Sequence, residues 1–307
     1  MLEAFAQPLN AATRYCAVFG HPIRHSASPA LQNAGLAALG LDWRYVAFEV
    51  HPDNLRDAIR GARAMKFIGL NLTVPHKLLA VDMVEVLDES ARTWGAVNTI
   101  RFEARAKDGV WRPLGYFAES VPGEIRAHGF NTDATGLGRA LREDLGMELA
   151  GAKVVLLGAG GAGRVAALKL AAENVSQLFL INRTPAKAEA LLEEIKHRFP
   201  GVFASVGHPG HAVDLVLNAT SVGLKPEDNS PLDERQFPLR QARAVYDMIY
   251  RPAETALLRA AKAAGCRVAN GVGMLLYQGT EALEIWTGRT APVEVMRKAL
   301  LNNIYGT

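Results

Sequence analysis

Val154-Val155-Leu156-Leu157-Gly158-Ala159-Gly160-Gly161-Ala162-Gly163 is the stretch that decides the fold. Four apolar residues run straight into a glycine-rich turn, a helical pattern occupies residues 162–172, and a second apolar run, Leu178-Phe179-Leu180-Ile181, follows. Strand, turn, helix and strand in that order make a βαβ unit. The glycines let the backbone turn tightly and approach a pyrophosphate, and the amides that open the next helix present partial positive charge to it. Gly158, Ala159, Gly160, Gly161 and Ala162 are therefore candidate dinucleotide ligands. A glycine turn that binds nothing is the plain alternative.

The end of the second strand selects the dinucleotide. An NAD site usually carries an Asp or Glu there to accept from the ribose hydroxyls. Here the residues are Asn182-Arg183-Thr184. A carboxylate repels a 2'-phosphate, whereas a guanidinium brings a permanent charge and a planar fork of donors. NADP is the expected cofactor. Thr184 adds a hydroxyl, Lys187 a second charge, and Pro185 suits the start of the helix between them. The alternative makes Arg183 and Lys187 ordinary solvated charges.

With 307 residues and 49% hydrophobic content, the chain can bury a large core, and its length favours two domains. It carries 34 basic and 31 acidic side chains for a formal charge of +3, with no basic run interleaved with aromatics. Small anionic ligands fit that balance better than nucleic acid. Cys16 and Cys266 lie far apart and show no metal-ligand spacing, which argues against a disulfide framework or a metal site. No apolar run is long enough for a bilayer and no leader pattern opens the chain, so a cytoplasmic protein is expected.

Outward from the glycine turn the alternation continues. Strands are expected at 16–19, 44–50 and 67–74, helices at 29–39, 53–65 and 75–87, and a hairpin from 96–104 and 110–114 around Lys107-Asp108-Gly109. Beyond the turn, strands are expected at 215–218, 244–249 and 267–269, and two apolar-periodic helices at 274–286 and 292–302. The fold class is α/β with two domains. A mostly parallel first domain spans residues 1–133 and is completed by 274–307, whose helices pack back onto it. A doubly wound, Rossmann-like domain spans 134–273. The connections fall near 133–141 and 271–274, and ligands often bind where domains meet.

Polar groups gather where strands of the first half give way to loops. Ser26 and Ser28 sit between a strand and a helix, where their hydroxyls fit a carboxylate or cap the helix. Asn71-Leu72-Thr73-Val74-Pro75-His76-Lys77 ends a strand and sets Lys77 in the first turn of a helix, against the helix dipole. A proton donor or acceptor explains that placement. An exposed surface lysine explains it too. His76 points elsewhere on the helix, and His21 and His25 read as loop histidines.

Gly95-Ala96-Val97-Asn98-Thr99 and Asn131-Thr132-Asp133, taken with the segments above, resemble the shikimate dehydrogenase family. The resemblance runs in order through most of the chain. It includes the serine loop, the glycine turn to Arg164, Asn182 to Thr184, Asn218-Ala219-Thr220-Ser221, Tyr246-Asp247-Met248-Ile249-Tyr250, Gly271-Val272-Gly273-Met274 and Gln278. It implies an NADP-linked, reversible conversion of 3-dehydroshikimate to shikimate in aromatic amino-acid biosynthesis, with Lys77 and Asp133 as the catalytic pair. By the same resemblance Ser26 and Ser28 bind the substrate carboxylate, and Asn71, Thr73, Asn98, Asp133, Tyr250 and Gln278 contact its hydroxyls or line its pocket. Thr220, Met248, Gly271 and Met274 join Asn182, Arg183, Thr184 and Lys187 on the cofactor. Partners are then small molecules, with neither nucleic acid nor membrane, and the oligomeric state stays open, a homodimer included.

Two departures from the family pattern stand out. Ala134 replaces the glycine usual after the aspartate, which is tolerable at negative φ. Residues 117–128 interpose a stretch before Gly129-Phe130-Asn131, read either as a surface excursion or as a flap that alters substrate range. A quinate or dual quinate/shikimate dehydrogenase is the nearest alternative function. A non-catalytic ligand-sensing regulator is the alternative of another class.

Overall fold

A computed structural model describes residues 8–118, 121, 123–225 and 227–306. The chain divides into two units, one holding the chain up to Thr135 together with the segment from Leu276 onward, the other being Gly136–Leu275. Unit 1 contains β1 (Arg14–Gly20), α1 (Ser28–Ala38), β2 (Trp43–Glu49), α2 (Leu55–Ala64), β3 (Gly69–Leu72), α3 (His76–Leu79), β4 (Val86–Leu87), α4 (Glu89–Trp94), β5 (Thr99–Arg105), β6 (Trp111–Pro113) and β7 (Ile125–Phe130). The first boundary lies inside α5 (Asp133–Leu145).

Its sheet runs in the order β2-β1-β3-β5-β7-β4, with β6 beside β5. α2 shows why its sequence folds as it does: Leu55, Ile59 and Ala62 recur at helical spacing and are buried, while Arg56 and Arg60 between them face water. Each large side chain so buried contributes about 1.5–3 kcal/mol. Parallel pairing joins β1 to β2 and β3, but β5 runs antiparallel to β3, β6 and β7. The expected mostly parallel first sheet is thus mixed. The turn through Gly109, at φ +80°, reverses the chain in a few residues, and so short a connection can only join antiparallel strands.

Two further expectations change. The helix expected over 75–87 is one turn, α3, followed by a 3-10 turn at Ala80–Met83, and Val86 and Leu87 leave it to pair with His128 and Gly129. β-branched residues in that segment favour the strand. The stretch 117–128 is neither an excursion nor a flap throughout, because residues from Ile125 onward form β7, the antiparallel partner of β5. Residues 119, 120 and 122 of that stretch lie outside the described residues.

Unit 2 contains β8 (Lys153–Leu157), α6 (Gly161–Ala172), β9 (Gln177–Ile181), α7 (Pro185–Arg198), β10 (Phe203–Val206), β11 (Val213–Asn218), β12 (Ala242–Asp247), α8 (Ala256–Ala263) and β13 (Arg267–Asn270). The strands are all parallel in the order β10-β9-β8-β11-β12-β13. That is a doubly wound sheet whose order reverses between β8 and β11, the place where such sheets bind ligands. Consecutive residues Val154, Val155, Leu156 and Leu157 are all buried, as both faces of a helix-covered parallel sheet require. The second boundary falls within α9 (Val272–Thr287), and α10 (Val293–Tyr305) closes the chain in unit 1. There Trp286, 1% exposed, donates its Nε1–H to the carbonyl of Ile100 in β5 at 2.9 Å.

Candidate active site

In unit 1 the structure brings the proposed catalytic pair into contact. Lys77 Nζ lies 2.7 Å from Asp133 Oδ2. The second carboxylate oxygen, Oδ1, accepts from Asn98 Nδ2 at 2.9 Å, and the Asp133 amide donates to Asn131 Oδ1 at 3.1 Å. Asp133 is thereby fixed in rotation. The Lys77 side chain is 30% exposed and that of Asp133 only 9%, so the ammonium reaches solvent or a ligand while the carboxylate stays behind it.

Lys77 is presented by backbone rather than by a helix dipole, since a single turn sums few peptide dipoles. Its carbonyl accepts from Val97 N at 2.8 Å, and the His76 amide donates to Thr73 O at 2.8 Å. Thr73 in turn donates its amide to Phe19 O at 3.0 Å, which ties this loop to the end of β1.

A hydrogen-bonded line extends from the pair through the other polar candidates. Asn98 Oδ1 accepts from Thr132 N at 2.8 Å and from Thr99 Oγ1 at 3.1 Å, and Thr99 Oγ1 accepts from Asn71 Nδ2 at 2.9 Å. Asn71 Nδ2 also donates to Asn98 O at 3.2 Å, and Asn71 Oδ1 accepts from the Tyr45 hydroxyl at 2.7 Å. Tyr45 is buried, and that burial holds its phenol well above the usual range, so it remains a donor. Ser28 is the first residue of α1 and Ala27 its N-cap, so Ser28 does not cap the helix; Ser26 Oγ accepts the Ser28 amide at 3.3 Å. Gln278 is half-buried on α9 in unit 1, whereas Tyr250 belongs to unit 2.

Tyr45 is the group that sequence reasoning missed. Its signal was a hydroxyl-bearing aromatic at an inward position of β2, one that needs a polar partner once buried.

In unit 2 the glycines divide their work. Gly158 adopts φ +105°, and a Cβ on Gly163 lies 2.1 Å from the carbonyl oxygen of Gly158, so one turns the chain and the other lets helix meet strand. A Cβ on Gly160 or Gly161 meets no protein atom within 4 Å. α6 has no side-chain cap, and Gly160, Gly161 and Ala162 are exposed, so the amides of its first turn are open to an anion. The Ala159 amide is already taken by Asn182 Oδ1 at 3.0 Å, and Asn182 Nδ2 donates to Thr184 O at 2.8 Å. Asn182 thus joins the glycine turn to the Arg183 loop. Arg183 and Lys187 are exposed and make no ion pair among the described residues, whereas Arg164 is held by both oxygens of Glu194 at 2.8 and 2.6 Å. These residues fit a phosphorylated dinucleotide.

Asp247, buried at the end of β12, organises the other loops. Its carboxylate accepts from Asn218 Nδ2 at 2.9 Å, Ile249 N at 3.0 Å and Thr255 Oγ1 at 2.7 Å, and burial outweighs these bonds to raise its pKa. Asn218 Oδ1 accepts from both the amide and the hydroxyl of Thr220, at 3.0 and 2.7 Å. A Cβ on Gly271 lies 2.0 Å from Met248 O. Gly271→Ala is therefore expected to displace Met248 and lower stability by about 1–3 kcal/mol, measured by thermal unfolding. Met274 donates its amide to the Tyr246 hydroxyl at 3.2 Å.

Comparison with known proteins bears on the chain as a whole. Residues 18–100 match the shikimate dehydrogenase substrate binding domain, 140–225 match shikimate / quinate 5-dehydrogenase, and 271–301 match the shikimate 5'-dehydrogenase C-terminal domain. A shikimate dehydrogenase (NADP(+)) of Methanopyrus kandleri is 40% identical over 303 residues, covering 96% of this chain and 98% of its own. The chain belongs to the shikimate dehydrogenase family. A shikimate 5-dehydrogenase of Thermus thermophilus, solved in complex with NADP(H) and shikimate, superimposes with a TM-score of 0.76 at 36% identity, over 94% of this chain and 98% of that one. The ligand-free 5-ketofructose reductase of Gluconobacter sp. strain CHM43 gives a TM-score of 0.78 at 32% identity, over 96% and 100%. The shikimate dehydrogenase fold is thus shared with a protein named for another ketone, and side chains rather than backbone must choose the substrate.

Proposed function

We propose that this chain interconverts 3-dehydroshikimate and shikimate with NADP. The observation that carries this reading is the Lys77–Asp133 pair at 2.7 Å, buttressed by Asn98, in a chain of the shikimate dehydrogenase family. NADP+, when bound, supplies a hydride acceptor. Oxidising the ring alcohol also releases the hydroxyl proton, and Lys77 in its neutral form takes it; in reduction the ammonium returns it to the ketone oxygen. Asp133 holds Lys77 and accepts from the substrate hydroxyl. Ser26 and Ser28 bind the carboxylate, and Thr73, Asn98 and Gln278 line the ring. Both Asn71 donors are engaged inside the protein, so Asn71 contributes an acceptor. The first domain is the substrate-binding domain and the second the NADP-binding domain.

On the cofactor side the amides of Gly160, Gly161 and Ala162 hold the pyrophosphate, with Gly158 and Ala159 shaping the turn beneath it. Thr220, Met248, Gly271 and Met274 attend the nicotinamide, and Arg183, Thr184 and Lys187 the 2'-phosphate. Arg183→Ala is expected to lower kcat/KM with NADP+ by about 10- to 100-fold while leaving the rate with NAD+ nearly unchanged, because it removes a charge-assisted contact that only the phosphate makes. Initial rates with each cofactor measure this.

An initial-rate matrix crossing shikimate and quinate with NADP+ and NAD+ tests the function itself. Turnover of shikimate with NADP+ is expected to dominate. Activity confined to quinate and NAD+ overturns the reading.

A further inference from the structure

β7 loses its partner strand β4 just where the turn that carries Asp133 begins. β4 pairs with β7 through Val86 with His128 and Leu87 with Gly129, and the Asp88 amide still donates to Gly129 O at 2.8 Å. There the chain turns into α4: Asp88 is its N-cap, and the Asp88 carbonyl accepts from Arg92 N at 3.0 Å within the helix. Beyond β7 comes the amide of Asn131, a fully buried residue, and a buried amide needs an acceptor. A side chain supplies it. Ser90 Oγ, half-buried in the first turn of α4, accepts from Asn131 N at 3.0 Å. Its own proton is committed, since the hydroxyl donates to Asp88 Oδ1 at 2.7 Å, and Ser90 N donates to the same oxygen at 2.9 Å. With that proton given to Asp88, the lone pairs of Ser90 Oγ are left for the Asn131 amide.

What Ser90 holds bears on Asp133, two residues further on. Asn131 Oδ1 accepts from Asp133 N at 3.1 Å and from Ala134 N at 3.4 Å, where α5 starts, and Asn131 Nδ2 donates to Ala96 O at 3.0 Å. The other end of α4 reaches the same turn. Gly95, left-handed at φ +61°, ends the helix, Ala96 to Asn98 follow directly, and Asn98 Nδ2 donates to Asp133 Oδ1 at 2.9 Å. α4 therefore braces the Asn131–Asp133 turn from both ends, with Ser90 as the brace at its start. Resting on the function proposed above, we propose that Ser90 is a positioning residue for the proton-transfer pair: oriented by Asp88, its hydroxyl fixes the Asn131 backbone and thereby the placing of Asp133 against Lys77. It touches no reacting atom. Without it the turn relaxes, while the Ser26–Ser28 and Tyr45–Asn71 bonds stay as they are, so the loss falls on turnover rather than on substrate binding.

The test is steady-state shikimate oxidation with NADP+ by the parent, Ser90→Ala and Ser90→Thr, and by Asp133→Asn with and without Ser90→Ala, with folding at the assay temperature followed by circular dichroism. Ser90→Ala is expected to lower kcat by about 5- to 20-fold with both KM values within about threefold of the parent, and Ser90→Thr, which keeps the hydroxyl, to stay within about threefold in kcat. In the Asp133→Asn background the same Ser90→Ala change is expected to cost less than about twofold, because the group it positions is already lost. A Ser90→Ala protein at the parental kcat overturns the inference, as does a Ser90→Thr protein as slow as the alanine variant. So does an equal fall in both backgrounds, or a Ser90→Ala chain that does not fold, since either assigns the hydroxyl to the stability of the fold. If the parent oxidises no shikimate, the functional reading fails and this inference with it; an active parent whose kcat Ser90→Ala leaves unmoved sinks this inference alone.

Discussion

Lys77→Ala is expected to lower kcat for shikimate oxidation by about 100- to 10,000-fold while KM changes little. The magnitude is that of removing a positioned proton acceptor, and the split between the constants follows from the geometry. Ser26, Ser28 and the Asn71–Tyr45 line are held by bonds that do not involve Lys77, so the groups proposed to bind substrate remain in place. Asp133 keeps its bonds from Asn98 and from its own amide to Asn131. Lys77→Arg separates charge from proton transfer: a guanidinium can pair with Asp133, but it does not give up a proton in the working pH range. It is expected to be as slow as the alanine variant. An arginine variant within about tenfold of the parent would assign Lys77 an electrostatic role instead, since only the charge is conserved. Steady-state kinetics in both directions, at saturating cofactor, distinguish these results.

How far the residues alone disclose this site depends on whether a local pattern or a distant partner shapes each segment. The strands around the glycine turn are legible because their apolar runs are unbroken and bounded by turn residues. β10 is not, being a four-residue edge strand, Phe203-Ala204-Ser205-Val206, with no continuous buried run. Lys77 is legible as an odd lysine, but the dipole argument for its oddity does not survive, because α3 is one turn and backbone bonds from Val97 and to Thr73 set its place. Tyr45 and Asp247 gain their meaning from partners on other strands, 26 and 29 residues distant. No spacing rule encodes that. The stretch 117–128 is the plainest case: judged by length against the family it reads as an insertion, whereas the residues from Ile125 onward are the strand that leads directly into Asn131, Thr132 and Asp133.

Glu103→Gln is expected to destabilise the protein by about 3 kcal/mol, and the reason lies in that strand. The Glu103 side chain on β5 is 3% exposed, and its carboxylate is gripped by Arg101, by Arg126 at 2.7 Å and by His128 Nδ1 at 3.1 Å. Arg126 and His128 belong to β7, so the network binds β7 to β5 beside the backbone pairing. Removing one partner of a buried ion network usually costs about 3–5 kcal/mol. The lower end applies because the arginines are 22% and 27% exposed and recover part of their hydration. Burial opposes the charge on Glu103, but the hydrogen bonds from His128, Arg101 and Arg126 outweigh it and bring the carboxyl down to about 2. A depressed folded-state value contributes stability above the unfolded value of about 4.5 that is lost as pH falls towards about 2. The gap in melting temperature between parent and Glu103→Gln, about 6–10 °C at neutral pH, should therefore narrow steadily through that window, as calorimetry at a series of pH values measures. A gap constant from neutral pH to pH 3 would mean that Glu103 acts by packing alone. Because β7 leads into Asp133, the same variant is expected to lose activity on warming before the parent does.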